Sequence, residues 1–373
     1  MNVLLAGGGT GGHVYPALAV AEALHRRDPA ARVLFVGSRG GMEASLVPAA
    51  GVPFVGLAVR APRSRAPVRL AVSAASVVAS LAQAVAVVAR FAPDAIIATG
   101  GIAALPAVIA GALQGTPVVV IEGNAVPGRT NRILARFSRV VAVSSDEAAQ
   151  GLPAGRTVVT GLPIRREIYT ASREEGRKAF GLDPGRRTVL IIGGSQGAVR
   201  LNRAAEEAVA RLASRGDLQV IHQVGGGWDG AGPARPPAGA IAGIRYVRVP
   251  YLERIGAAYA CADAVVSRCG ANALAEITAC GLPAILVPYP YAADDHQARN
   301  ARRLVGAGGA VLVPDAQLTG EVLAGEIAAL FDRPGRLETL GAAARGQGCP
   351  DAADRVVALV AGLAQASPQE VRG

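Results

Sequence analysis

The sequence predicts an α/β protein of two Rossmann-like domains, each built on a parallel sheet, with the loops of the two sheets facing a cleft. Three observations predict it. Short apolar, β-branched runs alternate with helical stretches along the chain, the pattern of βαβ units. The runs are continuously apolar, as in strands covered on both faces. The two halves also begin alike. Val3-Leu-Leu-Ala-Gly-Gly-Gly-Thr-Gly-Gly-His13 reads as strand, glycine loop and helix start, and Thr188-Val-Leu-Ile-Ile-Gly-Gly-Ser-Gln-Gly197 repeats the design.

Taken in order, the first-half strands are Val3–Ala6, Val33–Val36, Phe54–Leu57, Ala95–Ala98, Val118–Ile121, Val140–Val143 and Thr157–Thr160. The second half offers Val189–Ile192, Leu218–Ile221, Tyr246–Val249, Ala264–Ser267, Ala284–Val287 and Val311–Val313. A chain of 373 residues exceeds what one core usually holds, which also favours two domains. The boundary falls near Gly161-Leu-Pro-Ile-Arg165, giving domains over 1–163 and 164–350. Residues 351–373 form a last amphipathic helix and tail that pack back on the first domain. The Gly/Pro/Ala-rich stretch Gly225–Gly243 reads as a loop inside the second domain.

Half the residues are apolar (51%), which excludes a disordered chain. The net charge of +10 favours an anionic partner, although arginine-rich codon usage alone would also produce it. Basic and aromatic residues are not interleaved, so no nucleic-acid platform is expected. Cys261, Cys269, Cys280 and Cys349 have no zinc-type spacing and read as reduced thiols. The N-terminus opens directly on a strand, without a secretory signal pattern. Leu70–Ala89 carries no charge, yet Ser73, Ser76, Ser80 and Gln83 interrupt it. It is expected to be an Ala-rich helix packed on a sheet, not a spanning helix. The basic loop Arg60–Arg69 before it suits an anionic lipid surface or, alternatively, plain solvent.

Open α/β sheets bind ligands beyond the carboxyl ends of their strands, so the loops there carry the chemistry. Gly7–Gly12 formally matches G-x-G-x-x-G. Its glycines would let backbone N–H groups approach an anion at a helix N-terminus. No acid follows at the end of the second strand, Val36-Gly-Ser-Arg39, although Arg39 suits a 2′-phosphate. His13 stands beside this loop, as a substrate-facing group or as a cap. Gly193–Gly197 repeats the cradle with the Ser195 hydroxyl, and Arg165 is placed to pair with a diphosphate. Ser267-Arg-Cys-Gly-Ala-Asn-Ala-Leu-Ala-Glu276 again runs from strand to helix. Glu276 there could accept both hydroxyls of a ribose, or simply be a solvated helix residue. Asp294 and Asp295 are adjacent, a poor pattern for a metal-bound nucleotide sugar. No G-x-S-x-G, H-E-x-x-H or G-K-[ST] motif is present.

Together these segments resemble the MurG family, the bacterial peptidoglycan glycosyltransferases. The strongest pieces are Gly8-Gly-Thr-Gly-Gly-His-Val-Tyr-Pro16, Gly193-Gly-Ser-Gln-Gly-Ala198 with Leu201-Asn202, Ala258-Tyr-Ala-Cys-Ala-Asp263, Ser267-Arg-Cys-Gly-Ala271 and Asp295-His-Gln-Ala-Arg-Asn-Ala301. The resemblance implies the GT-B fold, with an acceptor and membrane-facing first domain and a UDP-GlcNAc-binding second domain. It implies inverting transfer of GlcNAc from UDP-GlcNAc to the C4 hydroxyl of undecaprenyl-diphospho-N-acetylmuramoyl-pentapeptide (lipid I), without an obligatory cofactor or metal. Thr10, Gly11 and Gly12 would belong to the substrate site, with His13 as base and Glu122 as the alternative base. Asn124 corresponds to the last residue of the family's His-Glu-Gln-Asn segment. Arg165 and Ser195 would contact the diphosphate, Leu252 the uracil and Gln297 the sugar hydroxyls. Ala271, Asn272, Ala273, Leu274, Ala275 and Glu276 would wrap phosphate and ribose, with Glu276 on the ribose. The implied partners are UDP-GlcNAc, lipid I, an anionic membrane surface and other cell-wall synthesis proteins. The implied location is peripheral, on the cytoplasmic face of the inner membrane.

The chain departs from that pattern at three points. Ile121-Glu-Gly-Asn124 stands where the family has His-Glu-Gln-Asn, and Gly161-Leu-Pro-Ile-Arg165 where it has Gly-Asn-Pro-Val-Arg. Ala273 replaces a serine or threonine. The rival readings are a UDP-GlcNAc 2-epimerase of the same architecture, an NADP-binding oxidoreductase, and an inactive sugar-binding scaffold.

Overall fold

The structure is a computed structural model that describes residues 1–59, 67–194, 197–228 and 243–365. Ser195, most of the basic loop Arg60–Arg69 and most of Gly225–Gly243 lie outside the described residues.

The chain divides into two compact units, Met1–Arg165 with Pro350–Gly373, and Arg166–Cys349. The first unit begins β1 (Asn2–Gly7), α1 (Gly11–Arg27), β2 (Arg32–Ser38), α2 (Glu43–Ala49), β3 (Phe54–Leu57) and α3 (Pro67–Phe91). It continues β4 (Ala95–Gly100), α4 (Leu105–Leu113), β5 (Val118–Glu122), α5 (Arg129–Leu134), β6 (Val140–Val143) and β7 (Thr157–Val159). The second unit begins α6 (Glu167–Thr170), α7 (Arg173–Ala179), β8 (Arg187–Ile192), α8 (Val199–Arg211), β9 (Leu218–Gln223) and β10 (Arg245–Val249). It continues α9 (Ile255–Cys261), β11 (Ala264–Ser267), α10 (Ala271–Cys280), β12 (Ala284–Leu286), α11 (His296–Gly306), β13 (Ala310–Leu312), α12 (Gly320–Asp332) and α13 (Arg336–Arg345). The last helix, α14 (Ala352–Gln365), belongs to the first unit.

All thirteen expected strands are present, and every pairing among them is parallel. The sheet orders are β3-β2-β1-β4-β5-β6-β7 and β10-β9-β8-β11-β12-β13. In each, the first strand pairs with its successor on one side and a later strand on the other. The order therefore reverses at β1/β4 and at β8/β11, and ligands of such sheets bind outside the strand ends at that reversal.

Helices cover both faces, which is why most strand positions are apolar. One face of the first sheet buries Leu4, Ala6, Ile96, Ala98, Val118 and Val120. Val189, Ile191, Val220, Val266 and Ile285 do the same in the second, against residues of α8 and α12. One buried polar cluster sits beside this core. His222 on β9 is fully buried, with Nδ1 2.7 Å from the Tyr246 hydroxyl and Nε2 3.2 Å from Asn202 Oδ1. An amide oxygen only accepts, so Nε2 carries the proton and Nδ1 accepts from Tyr246. Burial first, then the Arg248 charge, lowers the imidazole pKa to about 3.

α14 buries Ala353, Val356, Val357 and Val360 and packs on α1, where Arg26 and Asp354 form an ion pair. α3 corrects one expectation. It does rest on β3 and α4, but its inward side carries Ser73, Ser80, Ala84 and Val88. Val68 and Val78 are more than two-thirds exposed, and Val72 is also exposed. By length and composition α3 is long and apolar enough to cross a membrane, and only 22% of its most apolar window is buried.

Candidate active site

In the first unit the reversal point is lined by the loop after β1 and the loop after β4. The second of these was not singled out in the sequence. Gly100 and Gly101 have φ of 113° and 80°, a region that favours glycine. A Cβ on Gly100 would lie 2.7 Å from Asn131 Oδ1 and 3.0 Å from the His13 ring; one on Gly101 would strike the Gly8 carbonyl. The two glycines thus let backbone pack directly against the imidazole.

His13, in the first turn of α1, is half-buried, and its Nδ1 lies 2.9 Å from the Gly8 carbonyl oxygen. That oxygen can only accept, so Nδ1 holds the proton in the neutral ring and the lone pair is on Nε2. Thr10 Oγ1, 3.3 Å away, also faces Nδ1. An imidazole with an oriented tautomer and a lone pair on the other nitrogen is built to take a proton.

The glycine loop is not an empty cradle. Glu43 of α2 is completely buried, with Oε2 accepting from Gly9 N at 2.9 Å and Oε1 from Ser38 N at 2.9 Å. The expectation that the loop offers its N–H groups to an anion is therefore narrowed, because Gly9 N–H is taken by a resident carboxylate. Arg39 donates from Nε to the Gly56 carbonyl at 2.7 Å.

Glu122, the last residue of β5, is 2% exposed. Its Oε1 accepts from Asn124 N at 2.8 Å and Asn124 Nδ2 at 3.0 Å; its Oε2 accepts from Gly128 N and Asn131 Nδ2, both at 2.9 Å. A carboxylate has about four lone-pair sites, and four donors fill them. Glu122, the alternative base of the sequence reading, is engaged here with the loop that carries Asn124. Arg165, the last residue of this unit, lies over the Tyr15 ring with its guanidinium carbon 4.5 Å from the centroid.

In the second unit β11 leads into α10, whose N-cap is Gly270 without a side-chain cap and whose first turn has no acid. The first N–H groups of a helix have no partner within it, and the dipole adds positive potential. Ala271–Glu276 form the first turns of this helix. Gln297 on α11 ties two loops together, with Oε1 accepting from Cys269 N at 2.9 Å and Tyr289 N at 3.0 Å. With that oxygen committed, its Nε2 donors are what it can offer a ligand. Leu252, after β10, is buried at 5% exposure. Beneath these loops runs a pair that the sequence did not indicate. Buried Arg268 donates to Asp315 Oδ1 at 2.7 Å and to the Val287 and Pro288 carbonyls at 3.3 and 3.1 Å. A lone arginine in a motif and an aspartate 47 residues later give no sign that they meet.

Known proteins fit this arrangement in both halves. Residues 3–143 match the glycosyltransferase family 28 N-terminal domain, and residues 188–356 match the family 28 C-terminal domain. A UDP-N-acetylglucosamine--N-acetylmuramyl-(pentapeptide) pyrophosphoryl-undecaprenol N-acetylglucosamine transferase of Desulforudis audaxviator is 40% identical, over 98% of this chain and 99% of the relative. One of the same name from a Nocardioides species is 42% identical, over 96% and 97%. The crystal structure of Acinetobacter baumannii MurG matches with a TM-score of 0.74 at 28% identity, over 97% of this chain and 99% of that one. A UDP-GlcNAc 2-epimerase from Neisseria meningitidis, bound to UDP-GlcNAc, matches with a TM-score of 0.70 at 15% identity, over 97% and 100%, which is a likeness of fold alone. The chain has the GT-B fold and belongs to glycosyltransferase family 28, within it to the MurG family of UDP-N-acetylglucosamine--N-acetylmuramyl-(pentapeptide) pyrophosphoryl-undecaprenol N-acetylglucosamine transferases.

Proposed function

We propose that this chain transfers GlcNAc from UDP-GlcNAc to the C4 hydroxyl of undecaprenyl-diphospho-N-acetylmuramoyl-pentapeptide, turning lipid I into lipid II. The observation that carries it is the near-full-length likeness to relatives named for this transfer, at up to 42% identity. The epimerase likeness is far more distant in sequence.

The reaction is a single inverting displacement. The acceptor oxygen forms a bond to the anomeric carbon while the bond from that carbon to the diphosphate breaks. The hydroxyl proton passes to His13 Nε2, the nitrogen left with a lone pair by the Gly8 contact. Charge gathers on the leaving diphosphate, where the α10 N-terminus, Arg165 and Ser195 stabilise it without an obligatory metal. Glu276 accepts from the ribose hydroxyls, Gln297 donates from Nε2 to the sugar, and Leu252 packs on the uracil. Thr10, Gly11, Gly12 and Asn124 serve the substrate site beside His13. The acceptor is lipid-linked, so the enzyme works peripherally at the cytoplasmic leaflet of the inner membrane. The exposed apolar face of α3, with Val68, Val72 and Val78 beside Arg69, supports that placement.

The test is turnover. Purified protein given UDP-GlcNAc and lipid I should release UDP and form the lipid-linked disaccharide, in EDTA as well as in magnesium. UDP-GlcNAc converted to a free epimer, with no acceptor product, would sink the reading.

A further inference from the structure

Tyr259, on α9, is the largest fully buried side chain of the second unit and is 1% exposed. A buried phenol needs a partner for its hydroxyl. Tyr259 finds one on the neighbouring helix: its hydroxyl donates to Glu276 Oε2 at 3.0 Å. We infer that Tyr259 is a positioning residue of the donor site, fixing the Glu276 carboxylate in the rotamer that receives the ribose hydroxyls. The inference rests on the proposal that Glu276 binds ribose.

Three features support it. Glutamate has three rotatable side-chain bonds, and Glu276 is only half-buried on α10, so a fixed hydrogen-bond donor narrows its choice of rotamer. A carboxylate has about four lone-pair sites, of which the Tyr259 hydroxyl takes one. Burial and the Glu276 charge raise the Tyr259 pKa well above its ordinary value, so the phenol stays protonated and always donates. The ring itself is buried on α9, a helix that packs against α6 and α7. A buried ring between packed helices offers its oxygen to α10 from a fixed point. The benefit is preorganisation: rotamer freedom is lost on folding and not on binding.

The test uses the full-length enzyme with UDP and 2′,3′-dideoxy-UDP as probes. Tyr259→Phe keeps the ring and removes only the hydroxyl. UDP binding should weaken about tenfold, the scale of one hydrogen bond to a charged group. Binding of the dideoxy analogue should be unchanged, and kcat at saturating donor should hold while KM rises. In a Glu276→Ala background the Tyr259→Phe effect should vanish. A general packing role would instead weaken both probes alike, and that result overturns the inference. If Glu276→Ala weakens UDP but Tyr259→Phe does not, the ribose role stands and the positioning role fails. If Glu276→Ala leaves UDP affinity unchanged, the ribose role fails and takes this inference with it.

Discussion

His13 of the first unit and His222 of the second are built to opposite ends. His13 is half-buried, with Nδ1 on a carbonyl oxygen and a lone pair on Nε2. His222 is completely buried, and both nitrogens are used, by Tyr246 and by Asn202. The first has a proton-accepting atom left over; the second has none. Water access differs in the same sense, since burial of His222 penalises its charged form. The lesson is that what the ring nitrogens touch decides what a histidine does, and being part of a strand–loop–helix unit does not.

The largest effect should come from removing the one that is free to act. His13→Ala should cut kcat about 10²–10⁴-fold, the usual contribution of a general base. The acidic limb of the pH–rate profile should disappear with it, and UDP affinity should hold. A folded His13→Ala enzyme with near-normal kcat would break the comparison and move the base role to Glu122 or another carboxylate.

Removing the other histidine should act on the fold. His222→Leu leaves Tyr246 and Asn202 without their partner, and should lower unfolding free energy by about 2–4 kcal/mol in urea titrations. The kcat of the folded fraction should stay within about twofold, as for a residue with no transition-state contact. Donor affinity should depend on neither histidine. Glu276→Ala should weaken UDP binding by about 1–3 kcal/mol in calorimetry, and equal losses from His13→Ala would undo the division of labour.

The smallest effect is on pH dependence. The folded pKa of His222 lies near 3, below the 6.5 of the unfolded chain. The unfolded state therefore binds the proton more readily. Stability that is full above pH 6.5 is lost as pH falls toward 3. Unfolding free energy should drop by about 2 kcal/mol between pH 6.5 and pH 5 from this group, and His222→Leu should remove that share. Equal slopes for the two proteins would show that the ring is protonated in the fold.

The sequence by itself determined the two parallel sheets, because strands buried on both faces are largely apolar and a glycine loop follows each first strand. It also pointed to particular loops, since motif and strand end coincide at Gly7–Gly12 and Ser267–Glu276. Tertiary structure decided what the polar groups there do. Glu43 fills the first glycine loop from another helix, Glu122 is consumed by Asn124, Gly128 and Asn131, and Arg268 meets Asp315 from across the sheet. α3 turns Ser73 and Ser80 inward and leaves Val68, Val72 and Val78 exposed, although the sequence predicts an Ala-rich helix packed on a sheet. A residue type gives the capacity to donate or accept a hydrogen bond. Which partner meets that capacity depends on groups many residues away in sequence, and only the packed fold brings them together.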